Sequence, residues 1–199
     1  MMDLSDGKTF STEFSHTRFL VPHLMQYKGW ALFMDADIIF QTDIKRLIAL
    51  LDERFAVMCV KHIYPPRKDM LKMDGRAQRS YSRKNWSSFM AINCGHPANA
   101  ALTPAEVNTR TGGELHGFYW LEDTAIGQLP YSYNYISGVS PALPIGTRPD
   151  VVHYSDGGPW FEECRDVPYA EWWDEEYQHW QRHGEGNKYT EVATTRYEL

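Results

Sequence analysis

Apolar runs and helical stripes divide the chain into alternating elements. The first ten residues are polar. Ser11 or Thr12 then suits a helix N-cap, and Phe14, Phe19, Leu20 and Leu24 roughly follow one helical stripe that Pro22 breaks or kinks. Gly29 precedes the run Trp30-Ala31-Leu32-Phe33-Met34, stopped by Asp35, which predicts a buried parallel strand. After Ile38, Ile39 and Phe40, Thr42 and Asp43 are placed to cap a helix from Ile44 to about Leu51. Phe55 to Val60 and Phe89 to Ile92 are further strands. Between them lies a polar, basic insertion, Tyr64 to Asn85, of the length that loops reach when they are functional. Pro97 to Ala101 and Pro104 to Val107 suit short helical turns, and Glu122 to Leu129 a helix. Val151 and Val152 form a last strand ending at His153, and Tyr169 to Trp180 an acidic, Trp-rich helix. The alternation predicts an α/β fold with a mostly parallel central sheet, one domain over 1–183 and a polar tail over 184–199.

Composition narrows the function classes. The chain has 199 residues, 43% hydrophobic and 14% aromatic, which excludes disorder throughout. No apolar run approaches the ~20 residues of a spanning helix. The net charge of −6 argues against a nucleic-acid binder. Three widely spaced cysteines without a CxxC, and no charged-then-apolar leader, predict a cytoplasmic setting with free, mostly buried thiols.

The strongest chemical signal is Asp35-Ala36-Asp37 at the end of the apolar strand. Carboxylates at i and i+2 of an extended chain project to the same side, and the carboxyl edge of a parallel sheet is where α/β proteins bind ligands. Their mutual repulsion favours a cation, and oxygen ligands suit Mg²⁺ or Mn²⁺. His153 ends a strand and precedes Gly157-Gly158, where backbone N–H groups can approach phosphate. Other pairs are weaker. His179 and His183 lack an acid between them, and Cys94 beside His96 sits where cysteines are usually buried and inert.

These motifs, in order, resemble the GT-A glycosyltransferases, most closely the glycogenin-like family 8 enzymes and their bacterial relatives. The resemblance runs from Ser11 to Trp173. It is carried by Arg-Phe-Leu-Val-Pro (18–22), Gly-Trp-Ala-Leu-Phe-Met (29–34), Asp-Ala-Asp, Arg83 to Ser88, Asn93-Cys94, Leu115-His116, Trp120 to Asp123 and His153 to Trp160. It implies a metal site of Asp35, Asp37 and His153 holding Mn²⁺ (or Mg²⁺) on the diphosphate of a nucleotide-sugar donor. A UDP-linked donor, retention of anomeric configuration and an unidentified hydroxyl acceptor, carbohydrate or other, follow by the same analogy. It further implies donor contacts from Arg18, from Trp86, Ser87 and Ser88 in place of the family's Asn-Ala-Gly, and from Gly157 and Gly158. Glu122 and Asp123 would stand at the anomeric carbon as the catalytic pair. Gly158 occupies the place of the family's diphosphate-binding Lys, so Lys84 or Arg83 is expected to supply the basic group. Lys61, just before the insertion, and the insertion's Arg67, Lys68, Lys72, Arg76 and Arg79 are the material for a lid. The first strand–helix unit of such a fold is missing, which predicts an N-terminally truncated sheet with an exposed edge. Two rival readings use the same residues: a nucleotidyltransferase working on a triphosphate, and a non-catalytic carbohydrate- or partner-binding remnant.

Overall fold

The computed structural model describes residues 15–63, 70–71, 77–78 and 83–183. A 3-10 turn at Thr17–Leu20 leads into α1 (Val21–Leu24), then β1 (Trp30–Met34), β2 (Ile38–Phe40) and α2 (Ile44–Ile48). β3 (Val57–Cys59), β4 (Met70–Leu71), β5 (Ala77–Gln78) and β6 (Phe89–Asn93) follow. α3 (Pro104–Thr109) and α4 (Gly112–His116) precede β7 (Ile126–Gln128), β8 (Tyr135–Ile136) and β9 (Val151–His153), and α5 spans Ala170–His183. Pro22 lies in the first turn of α1, where its missing N–H costs nothing, so the expected stripe is broken into a 3-10 turn and a new helix. Asp43 caps α2 through Lys45 N–H at 2.9 Å, as its sequence position predicts. The proposed start of the first helix at Ser11 or Thr12, the insertion residues Arg67, Lys68, Lys72, Arg76 and Arg79, and the tail 184–199 lie outside the described residues.

A four-stranded sheet has the order β1-β6-β3-β7, and a three-stranded sheet the order β2-β9-β8. Both are mixed rather than mostly parallel: β1–β6, β6–β3 and β2–β9 are antiparallel, β3–β7 and β8–β9 parallel. The apolar run Trp30–Met34 is therefore neither parallel nor fully buried. It sits at a sheet edge and each of its residues is half-buried, whereas β3 and β6 are buried throughout. Apolar content alone does not separate an edge strand from a central one. β3 and β6 alternate between two cores. Val57, Cys59, Met90 and Ile92 face one cluster, Met58, Val60, Phe89 and Ala91 the other.

The expected helix over Glu122 to Leu129 is instead a 3-10 turn, Asp123–Ala125, running into β7. Ile126 and Leu129 enter opposite cores, which three-residue spacing allows on a strand and forbids on a helix face. A Cβ on Gly127 would lie 2.7 Å from both Phe55 and Met58, so glycine at this strand position admits their side chains.

Candidate metal and donor site

Asp35-Ala36-Asp37 is the segment by which the chain leaves one sheet and enters the other. The Asp35 N–H donates to Ser88 O at 2.9 Å, extending the β1–β6 ladder. The Tyr154 N–H donates to Asp37 O at 2.9 Å, extending the β2–β9 ladder, in which Ile38 faces His153. One carboxylate is thus tied to each sheet, and antiparallel register alone carries His153 to Asp37. His153 Nε2 lies 3.2 Å from Asp37 Oδ1. One ligand atom each of Asp35, Asp37 and His153 lies within 4.8 Å of the others, close enough to share an ion after small side-chain rotations. Among the described residues no other group of three or more His, Cys, Asp or Glu offers this, and His179 and His183 belong to none.

Electrostatics favours a cation there. Burial raises the Asp35 carboxyl above its ordinary range, and Asp37 pushes it the same way, against the pull of Arg18 and His153. Arg18 Nη1 lies 3.0 Å from Asp35 Oδ1 and donates to Ser87 O at 2.8 Å, and its guanidinium sits 4.6 Å over the Phe33 ring. Arg18 therefore lies against the cluster, with Asp35 as its partner.

The orientation of the His153 ring nitrogens follows from a chain of hydrogen bonds. Ser88 Oγ donates its only hydrogen to Asn85 O at 2.7 Å. Asn134 Nδ2 must then be the donor toward both Ser88 Oγ, at 3.0 Å, and Asn85 O, at 3.3 Å. Its Oδ1 consequently faces His153 Nδ1 at 3.0 Å, and Nδ1 carries the hydrogen. Nε2 is left facing Asp37, the arrangement by which ligand imidazoles are oriented. Two carboxylates and an imidazole held this way fit a divalent cation of the Mn²⁺ or Mg²⁺ kind. Asn134 is fully buried and stands in no motif, so sequence reasoning missed it. Asn134→Leu should lower Mn²⁺ affinity, read by paramagnetic resonance titration, by about tenfold or more. A lowered melting temperature with unchanged Mn²⁺ affinity would reduce Asn134 to a packing residue.

The other predicted positions fall into distinct settings. Ser87 and Ser88 are buried supports: their carbonyls hold Arg18 and Asp35, and Ser87 Oγ meets His116 Nδ1 at 2.6 Å. His116, pushed down to about 3 chiefly by burial, stays neutral. Trp86 Nε1 donates to His62 O at 3.0 Å, and its ring lies under the Arg83 guanidinium at 5.2 Å. Lys84 is half-buried beside it. Gly157, at φ +123°, donates its N–H to Tyr154 O at 2.9 Å, so that N–H is committed to a turn. A Cβ on Gly158 would fall 2.1 Å from the Trp160 ring, which gives this glycine a packing reason. Glu122 is exposed, and its side chain does not cap the 3-10 turn that follows it. Asp123, 83% exposed, pairs with Arg83 at the end of the insertion, and Arg83 Nη1 donates to Gly117 O at 2.6 Å. Cys59 and Cys94 are buried, their thiols pushed up to about 12 and about 11 by burial, as inert cysteines are; Cys164 is half-buried.

No helix among the described residues is long and apolar enough to cross a membrane. No family model matches the chain. In structure it is similar to LgtC, solved as an active-site mutant, with a TM-score of 0.54, 11% identity, and coverage of 84% of this chain and 69% of that one. It is also similar to WbbM, solved as an apo bifunctional glycosyltransferase, with a TM-score of 0.49 and 18% identity. That match covers 82% of this chain and only 35% of that one. In sequence it is 47% identical over 178 residues to Protein CDI of Arabidopsis thaliana, covering 88% of this chain and 68% of that protein. With that identity over that span, the chain belongs to the family of Protein CDI.

Proposed function

We propose that the chain is a divalent-metal-dependent glycosyltransferase of the GT-A kind. It would move a sugar from a nucleotide-sugar donor, UDP-linked and with retention by the family 8 resemblance, to a hydroxyl acceptor. The observation that carries this reading is the convergence of Asp35, Asp37 and His153 where the chain passes between two sheets. The shared fold with LgtC, itself a glycosyltransferase, supports it.

Asp35, Asp37 and His153 would hold Mn²⁺ or Mg²⁺. Such an ion neutralises the charge that grows on a nucleoside diphosphate as it leaves. Arg18, already pinned over Phe33 beside Asp35, keeps one guanidinium edge near the charge that the carboxylates concentrate. Ser87 and Ser88 fix that geometry from beneath through their carbonyls. Lys84, Trp86 and Gly158 complete the donor side of the reading, with Gly157 shaping the turn before Gly158. Glu122 and Asp123 would face the donor sugar, with Arg83 steering Asp123.

The test is hydrolysis of UDP-sugars by water, which needs no acceptor. Release of UDP should require added Mn²⁺ or Mg²⁺ and stop with a chelator. Tight binding of a nucleoside triphosphate, with none of UDP or UDP-sugars, would transfer the site to a nucleotidyltransferase.

A further inference from the structure

Beyond the donor residues, an open cleft of about 250 Å³ lies between the Asp37 end of β2 and α5. Asp37 forms one wall, and Trp160, Trp173, Glu176 and Tyr177 the other. The aromatic wall continues out of the cleft. Trp160 lies 5.7 Å from Trp173, Trp173 stacks on Tyr177 at 4.8 Å and 12°, and Tyr177 on Trp180 at 6.0 Å and 19°. Residues 173, 177 and 180 recur at helical spacing and share one side of α5. The adjoining side is already anchored, because Trp172 is buried with Val152 and Tyr154, and Trp173 packs at the margin of that cluster. An amphipathic helix needs only one apolar face. Here the apolar surface of the helix extends past its buried contact, with Tyr177 at 41% and Trp180 at 62% exposure, and Trp160, from the preceding loop, at 37% beside it.

We infer that this aromatic strip is a saccharide-binding subsite that seats the sugar acceptor beside the metal cluster. The assignment rests on the glycosyl-transfer reading for its role and on the geometry for its ligand chemistry. The cleft is smaller than the roughly 300–1,000 Å³ of pockets that enclose a whole drug-sized ligand, so it suits one ring of a longer molecule. Centroid separations of 4.8 and 6.0 Å at near-parallel planes mean that the rings are offset in their stack, and the ring area left open is greater on Trp180, at 62% exposure, than on Tyr177, at 41%. The C–H face of a pyranose lies flat on such rings. Asp37 and Glu176 at the rim accept from hydroxyl groups. From Trp173 to Trp180 the strip runs ~10 Å along the helix axis, longer than one sugar ring.

Charge selects among other occupants. α5 carries Glu171, Asp174, Glu175 and Glu176 against Arg182. That acidic flank repels nucleotides, nucleic acid and anionic lipid surfaces, and it leaves neutral hydroxyl-rich ligands unopposed. Continuity with Asp37 places the bound ring next to the carboxylates that would hold the donor's metal, where an acceptor hydroxyl is needed.

The experiment measures binding of cellohexaose, xylohexaose and maltohexaose to the full chain by saturation-transfer NMR and calorimetry, with Mn²⁺ affinity determined on the same samples. At least one oligosaccharide should bind. Tyr177→Ala and Trp180→Ala, both at exposed positions, should each weaken it by about tenfold, with Mn²⁺ affinity unchanged. Saccharide binding at the strip by a protein that takes up no Mn²⁺ supports the subsite and overturns only the transfer reading. Binding of none of the three, or binding that survives both substitutions, overturns the inference. So does a change in sedimentation of Trp180→Ala without any effect on saccharide, which would assign the strip to a second copy of the chain.

Discussion

Asp37→Asn should abolish Mn²⁺ binding in a calorimetric titration, and donor hydrolysis with it. The substitution removes the carboxylate that faces His153 Nε2 at 3.2 Å and replaces it with an amide too weakly basic to hold a hard cation. Asp35→Asn should do the same, and its effect on the metal-free protein separates a binding role from a structural one. Burial raises the Asp35 carboxyl above its ordinary value, so the folded state binds this proton more tightly than the unfolded state does. Above that raised value the ionised group weakens the fold, and the strain is relieved as pH falls through it. Asparagine removes the burden, offset by the loss of the 3.0 Å contact with Arg18. The metal-free melting temperature should therefore hold or rise. Mn²⁺ at 100 times its wild-type Kd should add about 2.7 kcal/mol of stability to the wild type and nothing to either variant. Wild-type Mn²⁺ affinity in both variants would overturn the assignment of the ion to Asp35 and Asp37.

Asp123→Asn should slow metal-dependent hydrolysis of UDP-sugars by about 10²-fold, the scale of a lost electrostatic contact to a transition state. Mn²⁺ and UDP affinities should stay as they are, because Asp123 belongs to neither set of contacts. The structural alternative is defined by Arg83, which Asp123 pairs with while 83% exposed. An ion pair with one partner in solvent is worth at most about 1 kcal/mol, so a purely structural Asp123 would give a small loss of stability and an unchanged rate. Arg83→Gln divides the readings further. It breaks the same pair while leaving the carboxylate, and should cost less activity than Asp123→Asn.

The chemistry-bearing residues were legible in the chain because their signals are local. Asp35 and Asp37 are adjacent to an apolar run, and His153 ends another and precedes paired glycines. Strand positions at 30–34 and 89–93, the Asp43 cap and the acidic aromatic helix near 170–180 were legible for the same reason, since propensity and periodicity act over a few residues. Strand direction was not. The run Trp30–Met34 has the composition of a buried parallel strand, yet its partner is β6 in antiparallel register, a choice made by where the rest of the chain returns. Glu122 to Leu129 reads locally as a helix, and only the two cores on either face of the sheet decided for a strand at Ile126–Gln128. The supports of the site were hidden for a related reason. Asn134 orients His153, and Ser88 orients Asn134, through contacts between residues far apart in sequence. Nothing about a lone asparagine among tyrosines marks it. Local sequence therefore determined which side chains bring the charge. Tertiary pairing of β2 with β9 and β1 with β6 decided that the charges meet, because hydrogen-bond register is a property of two strands and is written in neither alone.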